Sequence, residues 1–152
     1  MNAFTESFSV LYERDLNVLI KELSLYNNES DMWKVSGDIK NSGGNLAMHL
    51  AGNLRHFFGH VMGKGDYKRD RNFELGGENI PRNKIVKEIE ISIVEVKNVL
   101  DNITNEDLQS TFPINVFKYE MTTANFITHL YGHLNYHLGQ INYHRRLIEK
   151  QR

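Results

Sequence analysis

The sequence predicts an all-α fold: a four-helix bundle with long connections and room for one short extended segment. Three observations lead there. Apolar residues recur at steps of three and four through four separate stretches. The only prolines, Pro81 and Pro113, both lie where that periodicity has lapsed. The chain has 152 residues, 40% apolar and 24% charged, which suits one ordered domain spanning residues 1–152.

The first stretch, residues 3–26, places Phe8, Leu11, Tyr12, Leu16, Leu19, Ile20 and Leu23 at helical spacing, and Asn27-Asn28 breaks it. Residues 29–44 carry Trp33, Val35 and Ile39 but end in Asn41-Ser42-Gly43-Gly44, a run of turn formers. The second stretch, residues 45–62, has an apolar face of Leu46, Leu50, Leu54, Phe57, Phe58 and Val61, with Asn45 as its cap. Residues 63–79 read as a polar loop. Pro81 suits the first turn of the third stretch, where Ile85, Ile89, Ile93, Val96 and Leu100 repeat until Asp101-Asn102. Its β-branched residues would also suit a strand, but its length and the pairs Lys84–Glu88 and Lys87–Glu90 argue for helix. Residues 104–121 are less regular, and the alternation Ile114-Asn115-Val116-Phe117 predicts a short extended piece. The last stretch, residues 123–150, aligns Ile127, Leu130, Leu134, Leu138, Ile141 and Ile148.

Composition removes several classes of function. The net charge is -1 with seven histidines taken as neutral, so no global field favours nucleic acid or an anionic membrane. The basic run 64–71 (KGDYKRDR) is interrupted by Asp66 and Asp70 and reads as a solvated loop. Cysteine is absent, which excludes disulfides, thiolate metal sites and cysteine nucleophiles. Any thiol in the chemistry must therefore come from a substrate or cofactor. The N-terminal MNAFTESFSV lacks the basic segment and long apolar run of a signal peptide, and no stretch reaches the roughly 20 apolar residues of a membrane span, so a cytoplasmic protein is expected.

The histidines carry the sharper signal. His129, His133 and His137 stand at i, i+4 and i+8 on the last stretch. Neighbours in that series share a helix face and can converge on one ion, but the outer two are about two turns apart and cannot easily share it with the third. A pair from this helix needs a further ligand, and the second stretch offers His49, His56 and His60. Each histidine also lies beside an apolar stripe, where an ordinary packed, hydrogen-bonded imidazole is a complete explanation. Spacing leaves both readings open.

The run His133-Leu-Asn-Tyr-His137-Leu-Gly-Gln-Ile141 resembles the HxxxHxGQI signature in the last helix of the DinB (YfiT-like) family. Leu46-Ala-Met-His49-Leu-Ala-Gly-Asn-Leu-Arg55 is similar to that family's second-helix histidine motif, and its Gly-Asn-Leu-Arg tail to one uncharacterised branch. Arg69-Asp70-Arg71-Asn72-Phe73-Glu74 looks like the RD-and-FE loop of that branch, and the likeness spans nearly the whole chain. The resemblance implies a DinB-type four-helix bundle with His49, His133 and His137 as the ligands of one divalent transition metal: Zn, Ni, Fe, Co or Mn. Leu138 stands where the family often has Arg. His56, His60 and His144 match no ligand position. His129 is retained as a second-shell or substrate-facing residue beside plain packing, and Asn53 and Gln140 as residues that orient ligands or line a substrate pocket.

Three neutral imidazoles leave an open coordination position, the pattern of a catalytic metal site. Two function classes follow. One is a metalloenzyme acting on a small-molecule substrate, either a hydrolase or a transferase using a low-molecular-weight thiol as co-substrate. The other is a damage-inducible or stress-response metal-binding bundle with no chemistry of its own. The resemblance also implies a homodimer, with Phe4, Phe8, Trp33 and Phe117 available to cover its interface.

Overall fold

The computed structural model describes residues 1–150, and among them the fold is all-α with no β-strand. Helix α1 (Ala3–Ser24) begins on a capping box, in which Asn2 Oδ1 accepts from Thr5 N–H and Thr5 Oγ1 accepts from Asn2 N–H. A 3-10 turn at Glu29–Trp33 leads to α2 (Gly43–Leu54), which continues into eight residues of π-helix, Arg55–Met62. Then come α3 (Arg71–Gly76), α4 (Arg82–Asn102), α5 (Asn105–Gln109) and α6 (Thr123–Lys150). The long helices pack in a closed cycle: α1 on α4, α4 on α2, α2 on α6 and α6 on α1.

Inside that cycle Leu16, Leu19, Leu23, Leu50, Ile89, Val96, Ile127, Leu134 and Ile141 are fully buried. Each such side chain contributes about 1.5–3 kcal/mol by leaving water. Polar ties hold α1 against α6 from both sides of the core. Tyr12 donates to the Ile127 carbonyl at 2.7 Å, Tyr131 donates to buried Asp15 at 2.6 Å, and Arg145 pairs with buried Glu22 at 2.9 Å. No helix among the described residues is long and apolar enough to cross a membrane.

Several local expectations are corrected. Helix α2 starts two residues before Asn45, because Ser42 Oγ accepts from Asn45 N–H and takes the capping role. The Asn45 amide is thereby freed to donate to the carbonyls of Glu74 (3.1 Å) and Gly77 (2.8 Å). The expected polar loop contains α3, capped by Asp70, whose side chain accepts from Phe73 N–H. Residues 114–117 form no strand. Ile114 and Val116 face solvent, Lys118 turns the backbone into the left-handed region (φ 62), and only a Thr111–Thr122 bridge closes the loop. Neither the Lys84–Glu88 nor the Lys87–Glu90 pair is present among the described residues; Glu88 pairs instead with Arg55 at 2.5 Å, and nothing in the structure explains the second. Phe4, Phe8, Trp33 and Phe117 are partly buried against this chain's own core.

Candidate metal centre

The helix cycle places α2 beside α6 and so brings His49 against His133 and His137. One ring nitrogen from each lies within 4.8 Å of the others. The Nε2 atoms of His49 and His133 are 3.2 Å apart, and those of His137 and His133 are 3.1 Å apart. His49 is buried, while the α6 pair is partly exposed.

The outer nitrogens settle the proton positions. His49 Nδ1 lies 3.2 Å from the Glu74 carboxylate, which only accepts, so Nδ1 carries the hydrogen and Nε2 keeps a lone pair. His137 Nδ1–H donates to Gln140 Oε1 at 2.6 Å, with the same consequence. His133 Nδ1 is buried and has no hydrogen-bond partner among the described residues. Nitrogen lone pairs this close repel unless a proton or a cation sits among them. Metal–nitrogen bonds of roughly 2.0–2.1 Å at a tetrahedral angle would hold such nitrogens about 3.3 Å apart. The observed spacing and tautomers fit that donor set.

On α6, electrostatics favour the neutral form of both clustered rings. Burial, reinforced by the neighbouring His137, His49 and His129, pushes the His133 imidazole down to about 3. Burial also lowers His137, against an opposing hydrogen bond that its Nδ1–H donates to Gln140. A neutral imidazole is the form that ligates a metal, so the apolar setting disfavours the competing proton.

Behind His49 stands an arrangement the sequence reading missed. Burial raises the Glu74 carboxyl, but hydrogen bonds from His49 and Arg69, with the Arg69 charge, outweigh it and hold the group below its ordinary range. Arg69 grips Glu74 through Nη2 at 2.8 Å and Nε at 2.9 Å. Arg69 Nη2 also comes within 3.4 Å of His49 Nδ1, but both nitrogens carry hydrogens and the contact is not a bond between them. Gly52 makes room for the arrangement: a Cβ there would fall 2.2 Å from Glu74 Oε2. The basic run 64–71, expected to be wholly solvated, thus supplies a partly buried residue of the site, because Asp70 caps α3 and Asn45 holds the α3 backbone under α2. The signal available in the sequence was the Arg69–Glu74 spacing within the RD-and-FE loop.

The remaining candidates lie outside this set. His129 stacks beside His133 with centroids 6.3 Å apart and meets the edge of Phe117 at 4.5 Å, at the exposed margin of the site. Asn53 is buried, makes no hydrogen bond to the three rings, and its Oδ1 is unpartnered among the described residues. His56 and His60 stack on each other in the π-helical stretch, about 10 Å or more further along the α2 axis than His49. Arg55 is held between Glu88 and Glu95 and lies over the Tyr67 ring at 4.2 Å, joining the π-helix to α4.

A profile of DUF1572, described as a protein of unknown function, matches residues 10–152. No curated protein matches the chain.

Proposed function

For a chain that belongs to the DUF1572 family, part of the DinB/YfiT-like superfamily, we propose a metal-dependent enzyme whose His49, His133 and His137 hold one divalent transition ion. The observation that carries this reading is the convergence of three Nε2 atoms while two of the rings commit Nδ1 to an acceptor.

An ion bound there supplies Lewis-acid polarisation with an open coordination position. The chain's own residues do the rest. Glu74 holds the proton on His49 Nδ1, fixes the ring's rotation and makes the imidazole a stronger donor. Gln140 does the same for His137 without adding charge. Arg69 keeps Glu74 ionised and aimed, so that the carboxylate turns neither to solvent nor to the ion. The core leucines behind α2 and α6 exclude water from the inner side, which leaves the margin near His129 and Phe117 for a small substrate. His129 is the nearest further group there able to carry a proton.

We assign the reaction class as hydrolysis of a small molecule or transfer of a low-molecular-weight thiol. The chain has no cysteine, so the sulfur nucleophile of a transfer must arrive with a co-substrate.

Metal loading followed by a substrate screen tests this. The wild-type chain should bind one Co²⁺, Ni²⁺ or Zn²⁺ per chain, and His137→Ala should bind none at the same concentration. A full equivalent of metal in that variant removes the assignment. Ion-dependent turnover of an ester or amide without thiol identifies a hydrolase. Turnover of an electrophile that also requires bacillithiol or glutathione identifies a transferase. Stoichiometric binding without turnover in either screen makes the protein a metal-binding bundle instead.

A further inference from the structure

A cavity of about 470 Å³ opens between α2, α3 and α4. Gly52 and Glu74 line it, and none of the three clustered histidines does. Its volume falls within the roughly 300–1,000 Å³ of small-molecule sites. Met48, Ala51, Phe73, Ile80 and Ile85 give it a mainly hydrocarbon lining, and Phe73 remains 50% exposed on the short helix α3. A phenyl ring standing half in water beside an apolar hollow is a surface that a ligand can cover.

The charges around this hollow are unequally committed. Its three carboxylates are all engaged: Glu74 with Arg69, Glu88 with Arg55, and Asp70 with the first turn of α3. Its three lysines, Lys68, Lys84 and Lys87, are exposed and have no ion-pair partner among the described residues. The local field at the mouth is therefore positive above a hydrocarbon floor. The Asp70 carboxylate already caps the first turn of the short helix α3 and places a negative charge at its N-terminus, which disfavours a multiply charged phosphate there. What fits is a single negative charge on an apolar body.

We propose that this cavity binds a small amphipathic carboxylate, with its hydrocarbon body between Met48 and Phe73 and its headgroup among Lys68, Lys84 and Lys87. The cavity shares Glu74 with the metal reading but does not require an ion at the histidines.

Calorimetric and amide-NMR titrations of the full chain with octanoate, octan-1-ol and acetate test it. Octanoate should saturate, with shifts centred on α3 and the start of α4. Octan-1-ol, lacking the charge, and acetate, lacking the body, should each bind at least about tenfold more weakly. Lys84→Glu with Lys87→Glu, two exposed changes checked for helicity by circular dichroism, should weaken octanoate by about tenfold or more. His133→Ala, which leaves the Glu74 side of the cavity intact, should not change octanoate binding. No saturation, equal affinity for octan-1-ol, or binding that survives the lysine changes overturns the proposal. Binding lost in the histidine variant but retained in the lysine variant places the carboxylate at the histidines, and overturns it as well.

Discussion

Helix α6 carries two buried or half-buried histidine settings that contrast sharply. Around His144, every ring nitrogen has a fixed partner from this chain. The Tyr26 hydroxyl donates to Nδ1 at 2.7 Å, and Nε2–H donates to the Lys34 carbonyl at 2.7 Å. Around His133, eleven positions earlier, Nε2 meets the Nε2 atoms of His49 and His137, while Nδ1 has no hydrogen-bond partner among the described residues. Burial lowers the proton affinity of both His133 and His144. Burial therefore does not distinguish a structural histidine from a ligand. The difference lies in where each nitrogen's hydrogen bond goes: His144 is satisfied and pins α6 to the end of α1 and the 3-10 turn, whereas the trio is satisfied only by something placed among its members.

The largest effect that would sharpen this contrast is loss of a ligand. His133→Ala should abolish stoichiometric Co²⁺ binding, read from visible absorption and elemental analysis, whereas His144→Ala should keep one ion per chain and lose thermal stability. Equal metal loss in both variants would erase the distinction.

Next comes the support behind His49. Glu74→Ala should weaken metal affinity by about 10–100-fold with the helical circular dichroism signal retained. Gly52→Ala, which forces Glu74 aside, should move affinity in the same direction. An unchanged affinity in both would show that His49 is oriented without them.

Acid should separate the two settings further. Folded His133 stays neutral down to about 3, while an unfolded chain protonates it near its ordinary value of 6.5. Between those values the unfolded state binds more protons, so this stability is complete above 6.5 and is lost as the pH falls through that window. Metal should raise the melting temperature at pH 7.5, and that increment should shrink steadily on titration to pH 5 as protons compete for the same nitrogens. A metal increment that does not change with pH would contradict neutral imidazole ligands.

The smallest effect concerns the satisfied histidine. Tyr26→Phe removes one buried donor and should cost about 1–3 kcal/mol of stability in urea unfolding, with metal affinity unaltered.

Much of this was legible locally. The periodicity of α1, α4 and α6 located the long helices because each buries one continuous stripe, and burial demands that spacing whatever the neighbours are. The i, i+4 relation of His133 and His137 follows from helical geometry alone. Other features were hidden because they involve partners distant in sequence. Ser42 rather than Asn45 caps α2, since Asn45 is drawn to the backbone of α3. Glu88 leaves Lys84 for Arg55, a choice made by packing of the π-helical stretch on α4. Phe8 and Phe117 meet rings far away in the sequence, Tyr131 and His129, contacts that local periodicity does not specify.

The amino-acid order by itself determined the all-α class, the helix faces and the supply of histidines, because periodicity and residue chemistry act over one or two turns. Only the tertiary structure decided which histidines meet, since His49 lies 84 positions from His133 and the angle between α2 and α6 sets their distance. It also decided which acceptors orient them, assigning Glu74 from an unforeseen six-residue helix to His49. A hydrogen bond operates over about 3 Å, and chain separation alone does not determine which groups come that close.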